Sequence, residues 1–150
     1  MTLTINRREA LALAAGAAGA LALGAPPAFA KNDADEAIKK FTGGKTALEG
    51  KVKLDLPEIA ENGNTVPMTI TVESPMTEAS HVTDVLVVAN ENPRSGVAVF
   101  HFSPASGVAE ANTRIRLAAT QDVIAVARMN DGSFYTASKQ VKVTIGGCGG

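Results

Sequence analysis

The stretch DVIAVARMNDGSFYTASKQVKVTI, residues 122–145, consists of two strand-like segments, DVIAVARM and SFYTASKQVKVTI, joined by the polar sequence NDG. Asn, Asp and Gly tolerate positive φ angles better than other residues do, so NDG between two such segments predicts a hairpin turn. The second segment ends on alternate apolar residues, Val141, Val143 and Ile145, which is the two-residue period of a strand with one buried face. The stretch therefore predicts a pair of adjacent antiparallel strands.

The same period recurs upstream of this hairpin. Val52, Leu54 and Leu56 alternate with polar residues, and strand-like segments follow at 66–72, 81–89, 97–102 and 113–117. Pro57 and the sequence ENGN at 61–64 interrupt the pattern. Pro67 lacks a backbone N–H and therefore fits only the start of a strand or a sheet edge. Six or seven short strands separated by turn residues predict an all-β fold of the sandwich type.

A short helix is predicted before the first strand, in NDADEAIKKFTGG at 32–44. Asn32 or Asp33 can cap its N-terminus by accepting a bond from an early backbone N–H. Gly43 and Gly44 end it, because glycine adopts the left-handed C-cap conformation at little cost.

The first thirty residues have the features of an export signal. Arg7 and Arg8 precede an apolar run of Ala, Leu and Gly, and the sequence Ala28-Phe29-Ala30 matches a signal cleavage site. The run is shorter than the roughly 20 apolar residues of a membrane span, which favours a cleaved signal over an uncleaved anchor. The adjacent arginines point to the twin-arginine route for folded proteins. We therefore divide the chain into a signal at 1–30, a β-sandwich domain at 31–145 and a C-terminal arm at 146–150.

Several function classes find no support in the sequence. The net charge of −1 does not suit a nucleic-acid partner, which would require a basic surface. Two histidines, His81 and His101, are too few for a metal site of three or four ligands, so we predict no metal or cofactor. Ser103, Ser106 and Ser133 lack the G-x-S-x-G context of serine hydrolases, and no dinucleotide or phosphate-binding loop occurs. We predict that the chain is not an enzyme.

The chain ends in GGCGG, where Cys148 is its single cysteine. No Lys, Arg or His adjoins Cys148 to stabilise a thiolate, which argues against a catalytic nucleophile. Glycine gives the backbone maximal freedom, so Gly146, Gly147, Gly149 and Gly150 predict a thin, flexible arm that carries the thiol. An unpaired thiol in an exported protein indicates a reactive group or an intermolecular disulfide. Covalent attachment is favoured, and an exported structural or adhesive domain that dimerises through Cys148 is the alternative.

The terminal sequence VKVTIGGCGG, residues 141–150, resembles the C-terminus of SoxY, the sulfur-carrier subunit of the periplasmic thiosulfate-oxidising Sox system. The signal, the size and the β-rich pattern agree with that family over the whole chain. The resemblance implies an immunoglobulin-like antiparallel sandwich in the periplasm, with sulfur intermediates attached covalently to Cys148. The twin-arginine pattern is imperfect, since Asn6 and Ala10 differ from the residues usual there, and this leaves the export route open.

The resemblance also implies partners. A SoxZ-like subunit, which has no export signal, would form a heterodimer with the chain and travel with it. The haem enzyme SoxXA would join thiosulfate to Cys148, SoxB would release the terminal sulfone as sulfate, and SoxCD, where present, would oxidise the remaining sulfane sulfur. In this role the protein has no catalytic residue, no cofactor, and neither nucleic acid nor membrane as a partner.

Overall fold

The computed structural model describes residues 33–147. Helix α1, Ala34–Thr42, begins directly after Asp33 and ends at Gly43, whose φ of 64° is left-handed as predicted for a C-cap. Asp33 does not cap the helix with its side chain, because its backbone (φ −84°, ψ 2°) is not in the extended conformation typical of such caps. Its Oδ1 atom instead accepts a hydrogen bond of 3.1 Å from the backbone N–H of Ser95. This bond attaches the start of the helix to a distant loop.

Nine strands follow within the described residues. Their bounds are β1 Leu48–Glu49, β2 Val52–Asp55, β3 Ile59–Asn62, β4 Val66–Val72, β5 Val82–Ala89, β6 Gly96–His101, β7 Ala109–Ile115, β8 Gln121–Met129 and β9 Phe134–Ile145.

The strands form two sheets. The large sheet has the order β1-β9-β8-β5-β6, with β3 also paired to β9, and the small sheet has the order β2-β4-β7. Strands β8 and β9 are antiparallel neighbours, and Gly132 in their connecting turn has a φ of 80°, so the predicted hairpin is confirmed. Strands β1 and β3 pair with β9 in parallel, while the other pairings are antiparallel.

The main core lies between the two sheets. The small sheet contributes alternate residues of β4 to this core. The large sheet contributes the inward-facing residues of β5, β8 and β9, which follow the two-residue period of a strand. The largest fully buried side chains of this core include Met68, Ile70, Val85, Val87, Val123 and Val141. The predicted immunoglobulin-like sandwich is thus confirmed.

Helix α1 covers part of the outer face of the large sheet. Ala34, Leu86 and Val88 form a second, smaller buried cluster against which Ile38 and Phe41 pack. The Phe41 ring meets that of Phe134 edge-on, with centroids 6.0 Å apart. The helix accounts for the continuous burial of β5, whose residues 84–89 are buried on both faces of the sheet.

Three details differ from the sequence-based prediction. Residues 59–62 form β3, although part of them was predicted as an interruption, and β1 was not predicted. Strand β7 begins four residues earlier than the predicted segment at 113–117 and ends at Ile115. Pro67 is the second residue of β4. It pairs with Arg114 of β7 but with no residue of β2, because the pairing between β2 and β4 ends at Thr69. The prediction of a strand start or a sheet edge is thus confirmed. Within residues 33–147 no helix is long and apolar enough to span a membrane.

Candidate functional site

The last strand, β9, ends at one end of the sandwich. Strand β9 pairs with β8 as far as Val141, and its final residues pair with β3 instead, Ala60 opposite Val143 and Asn62 opposite Ile145. The backbone N–H of Val143 donates to Thr120 Oγ1 at 3.0 Å. Residues 142–145 are therefore held on two sides up to the point where the strand ends.

Beyond Ile145 the chain is anchored through Gly63. The Gly63 N–H donates to Ile145 O at 2.7 Å, the Leu117 N–H donates to Gly63 O at 2.8 Å, and the Gly147 N–H donates to Leu117 O at 2.8 Å. Gly147 is buried. We call Gly63, Leu117 and Ala118 the arm seat, because these residues hold the backbone that leads to Cys148.

Positions 63, 146 and 147 have no room for a side chain. A Cβ atom at Gly147 would lie 2.2 Å from Gly63 C and O, and one at Gly146 would lie 2.1 Å from Ala118 O. A Cβ atom at Gly63 would lie 2.2 Å from Leu117 O. All three contacts are with backbone atoms, which cannot rotate away as a side chain can. The three glycines are therefore required by close approach of the backbone.

This arrangement includes two glycines of the predicted arm. Gly146 and Gly147, predicted to belong to a free five-residue arm, lie against the arm seat because a hydrogen bond and close backbone contact hold them there. Cys148, Gly149 and Gly150 lie outside the described residues, as do Arg7 and Arg8 of the predicted signal.

Two amide side chains, the buried Gln121 and the partly buried Asn92, organise the loop that supplies Leu117. Gln121 is only 3% exposed, and its Nε2 donates to Asn92 Oδ1 and to Ala119 O, both at 3.0 Å. Asn92 in turn donates from Nδ2 to Arg116 O and accepts from the Ala118 N–H, both at 2.9 Å. Sequence reasoning missed Asn92 and Gln121, since single amide residues next to strands give no pattern that singles them out.

The histidines lie elsewhere. His81 Nδ1 lies 2.9 Å from Thr77 O, and His101 Nδ1 lies 2.5 Å from Asp84 Oδ1. Asp84 also accepts a hydrogen bond of 2.9 Å from Arg128 Nε. Arg128 is seven residues along β8 from Gln121, a distance of about 23 Å, so this cluster is remote from the arm seat.

The Asp84 cluster is an ion-pair network. Burial by itself would raise the pKa of Asp84, but hydrogen bonds from Arg128, His101 and Thr83 outweigh burial and hold that pKa below its usual value. The carboxylate thus stays ionised between three strands, β6, β5 and β8. No group of three or more His, Cys, Asp or Glu side chains in residues 33–147 is arranged to hold a metal ion.

Comparison with known families and structures gives consistent matches. The model of the family described as "Sulfur oxidation protein SoxY" matches residues 38–148. The solved structure of the sulfur carrier protein SoxY from Chlorobium limicola f thiosulfatophilum is 31% identical, with 77% of this chain and 96% of that chain covered and a TM-score of 0.64. No curated protein matches the chain.

Superoxide reductases share the fold at lower identity. Neelaredoxin from Ignicoccus hospitalis is 17% identical, with 63% of this chain and 80% of that chain covered and a TM-score of 0.57. A superoxide reductase described as putative, from Thermotoga maritima, is 18% identical, with 69% and 89% covered and a TM-score of 0.52. At these identities the likeness extends to the sandwich alone.

Proposed function

The chain belongs to the SoxY family of sulfur oxidation proteins, and from this we propose that it is a non-catalytic carrier that holds sulfur covalently on Cys148 and presents it to partner enzymes during thiosulfate oxidation. The observation that carries the proposal is the family match, which runs from residue 38 through the sandwich and ends on Cys148 itself. The thiol stands between two glycine pairs at the end of a chain that contains no other cysteine.

The proposed loading step is an oxidation. The thiol of Cys148 loses its proton, its sulfur forms an S–S bond with the outer sulfur of thiosulfate, and one electron pair passes to a haem-containing partner of the SoxXA type. The product is a cysteine S-thiosulfonate. The protein supplies position alone, since the sequence places no base beside Cys148.

The proposed release step is a hydrolysis. In a SoxB-type enzyme, water attacks the terminal sulfone, the S–S bond between sulfane and sulfone sulfur breaks, and sulfate and a proton leave. Cys148 retains a persulfide. A SoxCD-like enzyme is a further partner where one is present.

We place the SoxZ-like subunit at the open side of the sandwich. Strand β6 ends the large sheet and β7 ends the small sheet, so each offers an unpaired edge within the described strands. A cavity of about 330 Å³ lies between them, lined in part by Val97, Phe100 and Ile115. Val99 and Val108, 46% and 66% exposed, lie on or near these strands. Unpaired edges beside exposed apolar residues favour a partner that contributes β-structure.

The proposed location is the periplasm. It rests on the signal-like sequence at 1–30, with Arg7 and Arg8, and on the family's association with the Sox system. An unpaired cysteine such as Cys148 is unusual in an oxidising compartment unless the protein uses the reactivity of its thiol.

Mass spectrometry of Cys148→Ser tests the carrier role. The protein, incubated with thiosulfate and its haem partner, is expected to gain the mass of a thiosulfonate on its C-terminal peptide, and the serine variant is expected to gain nothing. The melting temperature is expected to be the same for both, because the substituted side chain differs by one atom. A disulfide-linked homodimer without sulfur adducts would support the alternative, a structural domain cross-linked through Cys148.

A further inference from the structure

The cavity at the open side of the sandwich lies next to the arm seat. Asn92 and Arg116 both line this cavity of about 330 Å³ between β6 and β7. Asn92 also donates to Arg116 O and accepts from the Ala118 N–H, both at 2.9 Å. Leu117, directly after Arg116, accepts a hydrogen bond of 2.8 Å from the Gly147 N–H. The same short loop therefore forms part of the cavity wall and holds the backbone that leads to Cys148.

The cavity is positively charged. Arg114 and Arg116 line it together with uncharged residues, and no described Asp or Glu is among the lining residues. Both arginines are exposed, and within residues 33–147 neither side chain forms an ion pair or a hydrogen bond. Two exposed carboxylates, Glu61 and Glu91, lie close to the arm seat in the chain, but neither pairs with these arginines. The two guanidinium groups are therefore available to an anion.

Arg116 is near enough to Cys148 to contact a group that the thiol carries. Leu117 and Gly147 are joined by a hydrogen bond, and Arg116 and Cys148 are each one Cα step of about 3.8 Å from that pair. In the proposed loading step Cys148 gains a thiosulfonate, whose terminal sulfonate is an anion with three acceptor oxygens. A guanidinium group can donate two parallel hydrogen bonds to such an oxyanion.

Resting on the proposed carrier function, we infer that Arg116 binds the sulfonate of the thiosulfonate on Cys148, with Arg114 adding to the positive charge of the cavity. The loaded cysteine thus lies against the cavity wall between its visits to enzymes. The persulfide that remains after hydrolysis has no sulfonate oxygens to accept these hydrogen bonds. The contact with Arg116 therefore distinguishes the cargo before hydrolysis from the cargo after it.

The first test measures the charge around Cys148 in the purified chain without any enzyme. Two methanethiosulfonate reagents, one carrying a 2-sulfonatoethyl and the other a 2-(trimethylammonio)ethyl group, form a disulfide with the Cys148 thiolate as methanesulfinate leaves. Both react with the same thiolate, so the ratio of their rates cancels any change in its amount. In Arg116→Gln at low ionic strength, the anionic reagent is expected to react about twofold more slowly and the cationic one about twofold faster, the effect of one unit charge about 8 Å away in a water-like medium.

Two control variants accompany this test. Arg116→Lys is expected to keep the rate ratio of the unaltered chain, because it keeps the charge. Lys53→Gln is expected to leave the ratio unchanged, since exposed Lys53 pairs with Thr71, five residues or about 17 Å along β4 from Val66, the partner of Ile115. The effect of Arg116→Gln is expected to disappear in 1 M salt, where the screening length is about 3 Å. Equal ratios for Arg116→Gln and the unaltered chain at low ionic strength would overturn the inference.

The second test distinguishes direct contact with the sulfonate from a longer-range effect of charge. Cys148 is modified completely with the 2-sulfonatoethyl group or with an uncharged ethyl group, and the Nε–Hε resonance of Arg116 is recorded by NMR. This resonance is expected to shift, and its proton to exchange more slowly with water, in the sulfonate adduct alone, while Arg128 in the remote Asp84 network stays unchanged. An Arg116 resonance that is the same in both adducts would contradict the inference. Failure of the carrier role would appear differently, as a Cys148 that gains no sulfur from thiosulfate and the haem partner.

Discussion

At the scale of single residues, Gly63 shows how one position connects two distant parts of the chain. Its N–H and C=O bond to Ile145 and to Leu117, and a Cβ there would approach Leu117 O to 2.2 Å and Gly147 N to 2.8 Å. Its φ does not lie in the left-handed region, unlike that of Gly132. The requirement for glycine at 63 is therefore steric and does not come from backbone conformation.

Gly63→Ala is expected to lower the free energy of unfolding by about 1–3 kcal/mol, the usual cost of forcing an extra methyl group into a packed site. Chemical denaturation measures the change. Gly96→Ala is the matched control, since a Cβ there meets nothing within 4 Å and Gly96 has no left-handed φ. Its stability is expected to stay within about 0.5 kcal/mol of the unaltered protein. Equal stabilities of the two variants would contradict the steric role assigned to Gly63.

Asp84 predicts a pH dependence of stability. Since its hydrogen bonds hold the folded pKa below the unfolded value of about 3.9, its contribution is complete above that pH and disappears as the pH falls through the folded pKa. Asp84→Asn is therefore expected to lose about 1–3 kcal/mol at neutral pH and progressively less below about pH 4.

Thermal unfolding of Asp84→Asn from pH 7 down to pH 2 checks this, with Asp55→Asn, an exposed residue of β2, as the control. A stability difference from the unaltered protein that stays constant over this pH range would show that Asp84 acts through packing alone.

At the scale of elements, the long strands were predictable and the short ones were not. Strands β4, β8 and β9 carry apolar residues at the two-residue period because each has one face in the main core. Strand β1 has two residues, both exposed, and β3 has one buried residue, Ala60, out of four. Such segments form because the twelve-residue β9 offers an edge to pair with, a tertiary effect that leaves no periodic signal.

A glycine can provide backbone freedom or allow two backbones to approach closely, and the sequence alone does not distinguish these two roles at the candidate site. The sequence GGCGG indicated the thiol and its glycines, and backbone freedom was the natural interpretation of those glycines. Gly146 and Gly147 instead serve close approach of two backbones, which requires the same absence of a side chain. The difference depends on Gly63, whose proximity to Gly147 only the folded chain reveals. Contacts between residues far apart in sequence cannot be inferred from local composition.

At the scale of the whole domain, the described residues contain three distinct features, which are the arm seat, the Asp84 network and the open side between β6 and β7. The arm seat lies at the end of the sandwich where β9 terminates, and the Asp84 network lies near the other end of β8, where it links three strands. The unpaired edges of β6 and β7 form the open side, while β1 and β3 pair with β9 at the opposite edge of the large sheet. The cavity at the open side is lined in part by Asn92 and Arg116, and Asn92 also bonds the Ala118 N–H, so a subunit bound there would lie close to the arm seat.

Val99→Asp tests this arrangement. Val99 is 46% exposed on β6, and a carboxylate there would have to be buried unpaired if the SoxZ-like subunit packs on this edge. The dissociation constant of the heterodimer is expected to rise about tenfold or more, which corresponds to at least about 1.4 kcal/mol, as measured by sedimentation or calorimetry of the two purified subunits.

Leu48→Asp provides the comparison, because Leu48 is a similarly exposed apolar residue, 57% accessible, on β1 at the opposite edge of the same sheet. Its effect on the dissociation constant is expected to be less than about twofold, since a surface charge outside an interface costs little. Both variants should keep the melting temperature of the unaltered chain, since neither side chain is buried in it. If Leu48→Asp weakens the heterodimer and Val99→Asp does not, the partner binds across β1, and the open side between β6 and β7 must serve a different contact.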